Sequence, residues 1–253
     1  MAPEPVLEAR GVVKTFGRVQ ALRGANFTVY PQEVVALVGD NGAGKSTLVK
    51  TLVGVHPPDQ GEILFEGKPV AINTPHDARD LGIETVFQDL ALAAEIDPAA
   101  NMFLGRELLR SGFLGKLGFL DKGTMRRRSD EAFKNLGVKI QDTSARVANM
   151  SGGQRQGIAI CRAVTWAKRV VFMDEPTAAL GVVQTRAVLE LIRRVRDRGV
   201  SVVLISHNMP EVLEVSDRIE VLRLGKRVAQ YKGKETGVDE LVGAMTGALE
   251  MTR

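Results

Sequence analysis

The sequence predicts an α/β fold built on a mostly parallel sheet, and three observations point to it. The runs at 34–38, 170–173 and 202–205 are almost wholly apolar, as strands covered on both faces are. A glycine-rich turn follows the first run and opens onto a segment with apolar residues at helical spacing. A second helical pattern separates the other two runs, so strands and helices alternate.

Short strands fill the first third of the chain. Residues 6–13 lead to a turn at Phe16-Gly17, and residues 25–30 follow. Pro31-Gln32-Glu33 then turns the chain into Val34-Val35-Ala36-Leu37-Val38, which ends at Gly39. The helix after it carries Leu48, Val49, Leu52 and Val53 on one face and stops at Gly54 and Pro57-Pro58. Residues 62–65 and 70–72 read as a hairpin around Glu66-Gly67. Between residues 89 and 149 the texture changes to helical periodicity with long breaks, as at 112–118, where Gly and Lys interleave with apolar residues. This stretch reads as a helical insertion rather than a second domain. The helix between the last two strands shows Val183, Ala187, Val188, Leu191, Ile192 and Val195 as apolar positions, with Gly199 as its cap. There is no internal repeat.

Composition narrows the class. The 253 residues suit one large α/β domain, and 44% apolar with 25% charged residues is ordinary for a globular chain. The 34 basic and 30 acidic residues leave a net charge of +4, scattered along the chain, which makes no case for nucleic acid. The one basic cluster, Arg126-Arg127-Arg128, reads as a solvated helix face. Cys161 stands alone in an apolar stretch, so it reads as a packed thiol in a reducing compartment. Residues 1–8 carry Glu4 and Glu8 and no apolar core, so no signal peptide is expected there. No apolar run approaches the roughly 20 residues of a membrane span.

Gly39-Asp40-Asn41-Gly42-Ala43-Gly44-Lys45-Ser46 matches G-x-x-x-x-G-K-[ST], between the strand and helix the motif requires. Glycines let successive N–H groups aim inward, and the helix start adds its positive end, so polyphosphate is held by fixed dipoles. Lys45 places a point charge on the β and γ phosphates, and Ser46 offers a hydroxyl to Mg²⁺. Thr47 completes the nucleotide-binding set. A second signal is Asp174-Glu175 at the carboxyl end of a buried strand, where open α/β sheets place ligands. Asp174 suits the Mg²⁺ site, and Glu175 is the candidate general base. Alone, the pair also fits a strand end opening a turn at Pro176-Thr177; the cradle decides for chemistry.

Ser151-Gly152-Gly153-Gln154 precedes a helix read over 156–164. Ser and Gln three apart make a capping box, and a glycine-rich helix start is also an anion site. One cradle already lies in the chain, so this second site needs a phosphate from elsewhere.

With these motifs the chain resembles an ABC transporter ATP-binding subunit over nearly its whole length. The resemblance implies a P-loop NTPase core with a mostly parallel sheet, an N-terminal antiparallel β subdomain and an inserted α-helical subdomain. It implies one ATPase domain over residues 6–248, with the insertion at about 89–165. ATP and Mg²⁺ are the implied cofactors. In that family the signature helix, here Ser151, Gly152, Gly153 and Gln154, closes over ATP held by the cradle of a second cassette. Met150 stands where leucine is usual, a volume-conserving change. Gln88 corresponds to the glutamine that senses Mg²⁺ and water and links the site to the insertion. His207 corresponds to the switch histidine on the γ-phosphate, and Phe16 to the aromatic that stacks on adenine, although alone it reads as β-core. Asp174 to Gly181 departs from the pattern: glycine replaces the aspartate that crosses the dimer interface in most cassettes.

Gln88-Asp89-Leu90-Ala91-Leu92, Asn101-Met102-Phe103-Leu104-Gly105-Arg106-Glu107, Asn208-Met209-Pro210 and Met245-Thr246-Gly247 resemble bacterial importers of the ribose and fructose type. That branch implies a hydrolase coupled to monosaccharide import, peripheral on the cytoplasmic face of the membrane. Its implied partners are permease subunits, an identical second cassette in an ATP-dependent dimer and, indirectly, a periplasmic or extracellular solute-binding protein. Two alternatives belong to other classes. A non-transport ATPase acting on nucleic acid or ribosomes would bring long coiled coils or a second linked cassette, neither of which this sequence holds. A nucleotide-sensing structural subunit is suggested by Gly181 alone.

Overall fold

The structure, a computed structural model, describes residues 4–140, 142–178 and 180–248. Residues 1–3, within the stretch read as no signal peptide, and Ala179, within the run ending at Gly181, lie outside the described residues. The chain divides into two compact units, one running to Gln88 with Ala167–Pro176 and the chain from Ile192, the other formed by Asp89–Trp166 and Thr177–Leu191.

The first unit holds two sheets. β1 (Leu7–Phe16), β2 (Val19–Val29), β4 (Gln60–Phe65) and β5 (Lys68–Val70) form an antiparallel sheet in the order β2-β1-β4-β5. β3 (Val34–Val38), β6 (Ile83–Val86), β7 (Val170–Asp174), β8 (Ser201–Ile205), β9 (Arg218–Arg223) and β10 (Lys226–Lys232) form the second, ordered β10-β9-β3-β8-β7-β6. Only the β9–β10 hairpin in it is antiparallel. β3 and β8 are buried along their whole length, which explains why their sequences carry no polar alternation. Helices α1 (Lys45–Leu52), α2 (Pro75–Asp80), α8 (Met209–Val215) and α9 (Val238–Thr246) belong to this unit. One core joins Leu7, Phe27, Leu37, Leu48, Leu52 and Phe172, and a smaller one joins Ala36, Val38, Val212, Ile219 and Leu241.

Several boundaries differ from the sequence reading, and in the hairpin the second strand is Lys68–Val70 rather than 70–72. β1 runs on to Phe16, so the turn is Gly17-Arg18, and β2 starts at Val19 rather than Ala25. As the edge strand, β2 leaves Val19, Gln20 and Arg23 solvent-facing and buries only Leu22 among residues 19–24, which weakens the apolar signal there.

A charged cluster ties the two sheets of this unit together. Arg218 donates from Nη2 to Glu33 Oε1 at 2.7 Å, and also reaches Glu220 and the Thr28 carbonyl. Glu220, fully buried, accepts from the Thr28 N–H and from Gln230 Nε2 at 2.9 Å. Burial works against the Arg218 charge, but Glu33 and Glu220 outweigh it and hold its pKa above the ordinary arginine value. Arg218→Met strands buried carboxylates and is expected to lower stability by about 3–5 kcal/mol. Urea unfolding would check this; a loss below about 1 kcal/mol would show that the cluster does not hold the sheets together.

The second unit is helical: α3 (Pro98–Met102), α4 (Phe113–Lys116), α5 (Lys122–Leu136), α6 (Gly152–Trp166) and the first turns of α7 (Val182–Asp197). Arg126, Arg127 and Arg128 are exposed on α5, and Cys161 is buried on α6, both as the sequence suggested. The break at 112–118 contains a helix, α4, and α6 starts at Gly152 rather than Gln156. Gly157 allows α6 to approach closely, since a Cβ there would lie 2.7 Å from Val138 Cγ1. Val183 and Ala187 are exposed on α7, whereas Leu189 is buried. The first turn therefore stands outside the apolar stripe that Val188, Leu191, Ile192 and Val195 complete.

Candidate functional site

The parallel register gathers the sequence-predicted residues of the first unit. Leu37 pairs with Ile205, Asp174 with Ile205, and Val86 with Met173. Gly39, His207, Glu175 and Gln88 therefore all follow the carboxyl ends of neighbouring strands β3, β8, β7 and β6.

The cradle is shaped by what its glycines permit. A Cβ on Gly39 would stand 2.2 Å from the Leu222 carbonyl oxygen, and one on Gly44 would stand 2.8 Å from that of Ala21. The Ala43 carbonyl accepts from the Gly225 N–H at 2.9 Å, so the turn between β9 and β10 braces the loop from outside. Gly44, the N-cap of α1, offers no side-chain cap, which leaves the first N–H groups of the helix for an anion. Lys45 Nζ donates to the Gly39 and Asp40 carbonyls at 2.6 and 3.0 Å. Burial lowers the Lys45 pKa, opposed by Glu175, Asp40 and Asp174. Asp40, Asn41, Gly42, Ala43, Ser46 and Thr47 line one groove with Val19, Ala21, Arg23 and Leu224. Phe16 does not line that groove; it pairs with Val19, which does, at the turn of β1 into β2. Its ring is 43% exposed and meets His56 edge-on at 5.1 Å.

Beyond β7 the backbone is strained. Glu175 has φ +48°, unusual for a side chain of this kind, and its N–H donates to Ile205 O at 2.9 Å. This conformation turns its carboxylate onto His207: Oε1 lies 2.8 Å from Nδ1. Glu175 is 16% exposed and His207 75%, so the carboxylate is sheltered while the imidazole faces solvent. The Asp174 pKa is raised, by burial first and then by Glu175, with Lys45 and Lys50 opposing. Ser46, Asp174 and Gln88 offer hydroxyl, carboxylate and amide oxygens, the hard donor set that Mg²⁺ takes. Among the described residues no three or more His, Cys, Asp or Glu gather to hold a metal by themselves. That fits an ion completing its shell with phosphate and water.

In the second unit Ser151 and Gln154 form the reciprocal box: the Ser151 N–H donates to Gln154 Oε1 at 2.9 Å and the Gln154 N–H to Ser151 Oγ at 3.3 Å. The Ser151 hydroxyl proton is left available for a further acceptor. A Cβ on Gly153 would lie 2.8 Å from Gln184 Cγ, and Gly152 stays exposed. Gly181 is the N-cap of α7, its carbonyl accepting from the Thr185 N–H at 2.9 Å. The glycine caps with backbone only and presents no carboxylate.

Sequence reasoning missed three supports, Gly225, Leu222 and His56. Leu224-Gly225 was readable as a turn, but nothing in the chain marks which loop it braces.

A family model described as ABC transporter matches residues 22–178. The fructose import ATP-binding protein of Rhizobium meliloti is 51% identical, covering 100% of this chain and 98% of that one. The xylose/arabinose import ATP-binding protein of Sulfolobus acidocaldarius is 47% identical over 95% and 94% of the two chains. A ribose import ATP-binding protein of Rubrobacter xylanophilus is 43% identical over 96% of this chain, which spans 47% of that longer protein. Among solved structures, a nucleotide-free ATP-binding cassette from an ABC transporter superposes with TM-score 0.79 at 24% identity, over 98% of this chain and 99% of that one. A dimeric post-hydrolysis cassette bound to ADP and Pi gives TM-score 0.73 at 23% identity, over 91% and 100%. These two likenesses show the shared fold.

Proposed function

Because this chain belongs to the ABC transporter family of ATP-binding cassettes, we propose that it hydrolyses ATP to drive uptake of a monosaccharide through a separate permease. The observation that carries the reading is the meeting of the cradle, Asp174, Glu175 and His207 at one carboxyl edge of the sheet. Relatives named for fructose, xylose/arabinose and ribose import support a monosaccharide as cargo.

In this mechanism the cradle N–H groups and Lys45 grip the phosphates, and Phe16 stacks on the base. Glu175 orients the attacking water and takes its proton, while His207 holds Oε1 and aims the other oxygen. Ser46, Asp174 and Gln88 would hold Mg²⁺, which supplies charge neutralisation on the phosphates. The signature helix of a second, identical cassette closes the site, the free Ser151 proton reaching the γ-phosphate. Residues 6–248 form one cassette in this reading, with the helical insertion at about residues 89–165. No described helix is long and apolar enough to cross a membrane. The protein would sit peripherally on the cytoplasmic face through its permease, with a solute-binding protein on the far side.

Ser151→Ala tests the composite site. Each of two symmetric sites loses a hydrogen bond to a charged phosphate, about 1.5–3 kcal/mol, so the ATP-trapped dimer of a Glu175→Gln background should weaken. Sedimentation with Mg-ATP measures it, with ATP binding by the monomer retained. A dimer equally strong with and without the Ser151 hydroxyl would remove the signature helix from the site.

A further inference from the structure

The helical unit carries an ordered loop whose large apolar side chains are not used in folding. The neck is closed by the Asp121 N–H to the Leu108 carbonyl at 2.7 Å, the Arg110 N–H to the Phe119 carbonyl at 2.8 Å, and a bridge between Leu109 and Leu120. Within it, α4 lies so close to the Arg110 carbonyl that a Cβ on Gly115 would stand 1.8 Å from that oxygen. The loop is thus folded on itself, yet Phe113 is 74% exposed, Leu117 58%, Phe119 54% and Leu114 42%. An ordered crest with this much bare apolar surface marks a binding face.

Charge selects the occupant. Between Leu108 and Asp121 the loop carries Arg110 and Lys116, both exposed, and no acid. Asp121 lies at the neck, its carboxylate accepting from the Thr124 N–H as the N-cap of α5 and offset by Arg110 and Arg127, and Lys122 follows it. Apolar side chains flanked by cations are the chemistry that an anionic lipid surface receives. A protein partner typically meets about 800 Å² per side behind a polar rim, whereas the only charges on this crest, Arg110 and Lys116, are of one sign.

We propose that the loop between Leu108 and Asp121 touches the bilayer, with Phe113, Leu114, Leu117 and Phe119 seated at the headgroup boundary and Arg110 and Lys116 against lipid phosphates. This rests on the reading of the protein as a membrane-side motor. It gives the cassette a second hold on the membrane besides its permease and fixes which way the helical unit faces.

Flotation of the purified full chain with vesicles tests it, using phosphatidylcholine alone and phosphatidylcholine mixed with phosphatidylglycerol. The wild-type protein should float with the mixed vesicles and roughly tenfold less with phosphatidylcholine alone. Phe113→Ser with Leu117→Ser should weaken flotation by about tenfold or more, and Lys116→Glu should abolish the preference for phosphatidylglycerol. All variants should keep wild-type phosphate release and melting temperature, because the altered side chains are exposed. A wild-type chain that stays with the soluble fraction overturns the proposal, as does a double variant that floats like wild type. A double variant that floats normally but no longer binds the permease in detergent reassigns the crest to a protein contact. Mg-ATP hydrolysis by the same preparations reads the ATPase proposal separately, so failure of either is distinguishable.

Discussion

Glu175→Gln is expected to lower ATP turnover by roughly 10²–10⁴-fold, the usual worth of a general base, while leaving ATP affinity close to wild type. The reason is geometric. Glu175 stands one residue past β7 with φ +48°, and that backbone choice directs Oε1 onto His207 Nδ1 at 2.8 Å. Glutamine keeps the size and one oxygen, so the shape of the cradle is kept; it loses the capacity to take a proton and the charge that supports Lys45, which Asp40 and Asp174 still support. His207→Ala leaves the base in place but unaimed, so its effect on turnover should be smaller than that of Glu175→Gln. Pre-steady-state phosphate release on both variants, beside equilibrium nucleotide binding, makes the comparison. Turnover near wild type in Glu175→Gln would take the residue out of the proposed role, and a matching loss of ATP binding would make it structural.

The legible parts of this protein were those whose signal is local. The cradle is readable because four fixed residues, Gly39, Gly44, Lys45 and Ser46, fall within eight consecutive positions, and β3, β7 and β8 because burial on both faces leaves no polar alternation. The capping box at Ser151 and Gln154 was legible from spacing alone. What escaped depends on contacts distant in sequence. Glu220 carries no local signal, and only the fold reveals it as a strand residue fully buried against Arg218. The early part of β2 escaped because an edge strand needs no apolar face, and Val183 was placed on the helix stripe because periodicity cannot tell where coverage ends. Gly225 joins the cradle through one hydrogen bond to Ala43, from 182 positions later in the numbering (225 − 43). The exposed apolar crest of α4 was read as a break because glycines interrupt it.

Asp174→Asn should make the protein without nucleotide more stable at neutral pH and its Mg²⁺-dependent turnover much weaker. Asp174 is half-buried beside Glu175, and burial first, then that neighbour, raises its pKa above the ordinary aspartate value despite Lys45 and Lys50. Between the unfolded and folded pKa values the native state binds more protons than the unfolded chain, so stability falls as pH rises through that window. At neutral pH the whole penalty is in force. Asparagine has the same shape and no charge, so the variant's melting temperature should exceed that of wild type there, and the gap should close as pH falls toward the ordinary carboxylate range. Turnover is expected to need more Mg²⁺ by over the roughly 10–100-fold that losing a group merely supporting a metal ligand costs. Mg-ATP should raise the melting temperature of wild type more than that of the variant, because only a bound ligand stabilises by mass action. A variant that melts lower than wild type at neutral pH, or by the same margin at every pH, would mean that the Asp174 charge is already satisfied inside the fold. In that case the carboxylate is a structural partner, and the proposed cation would have to be held by Ser46 and Gln88 with phosphate alone.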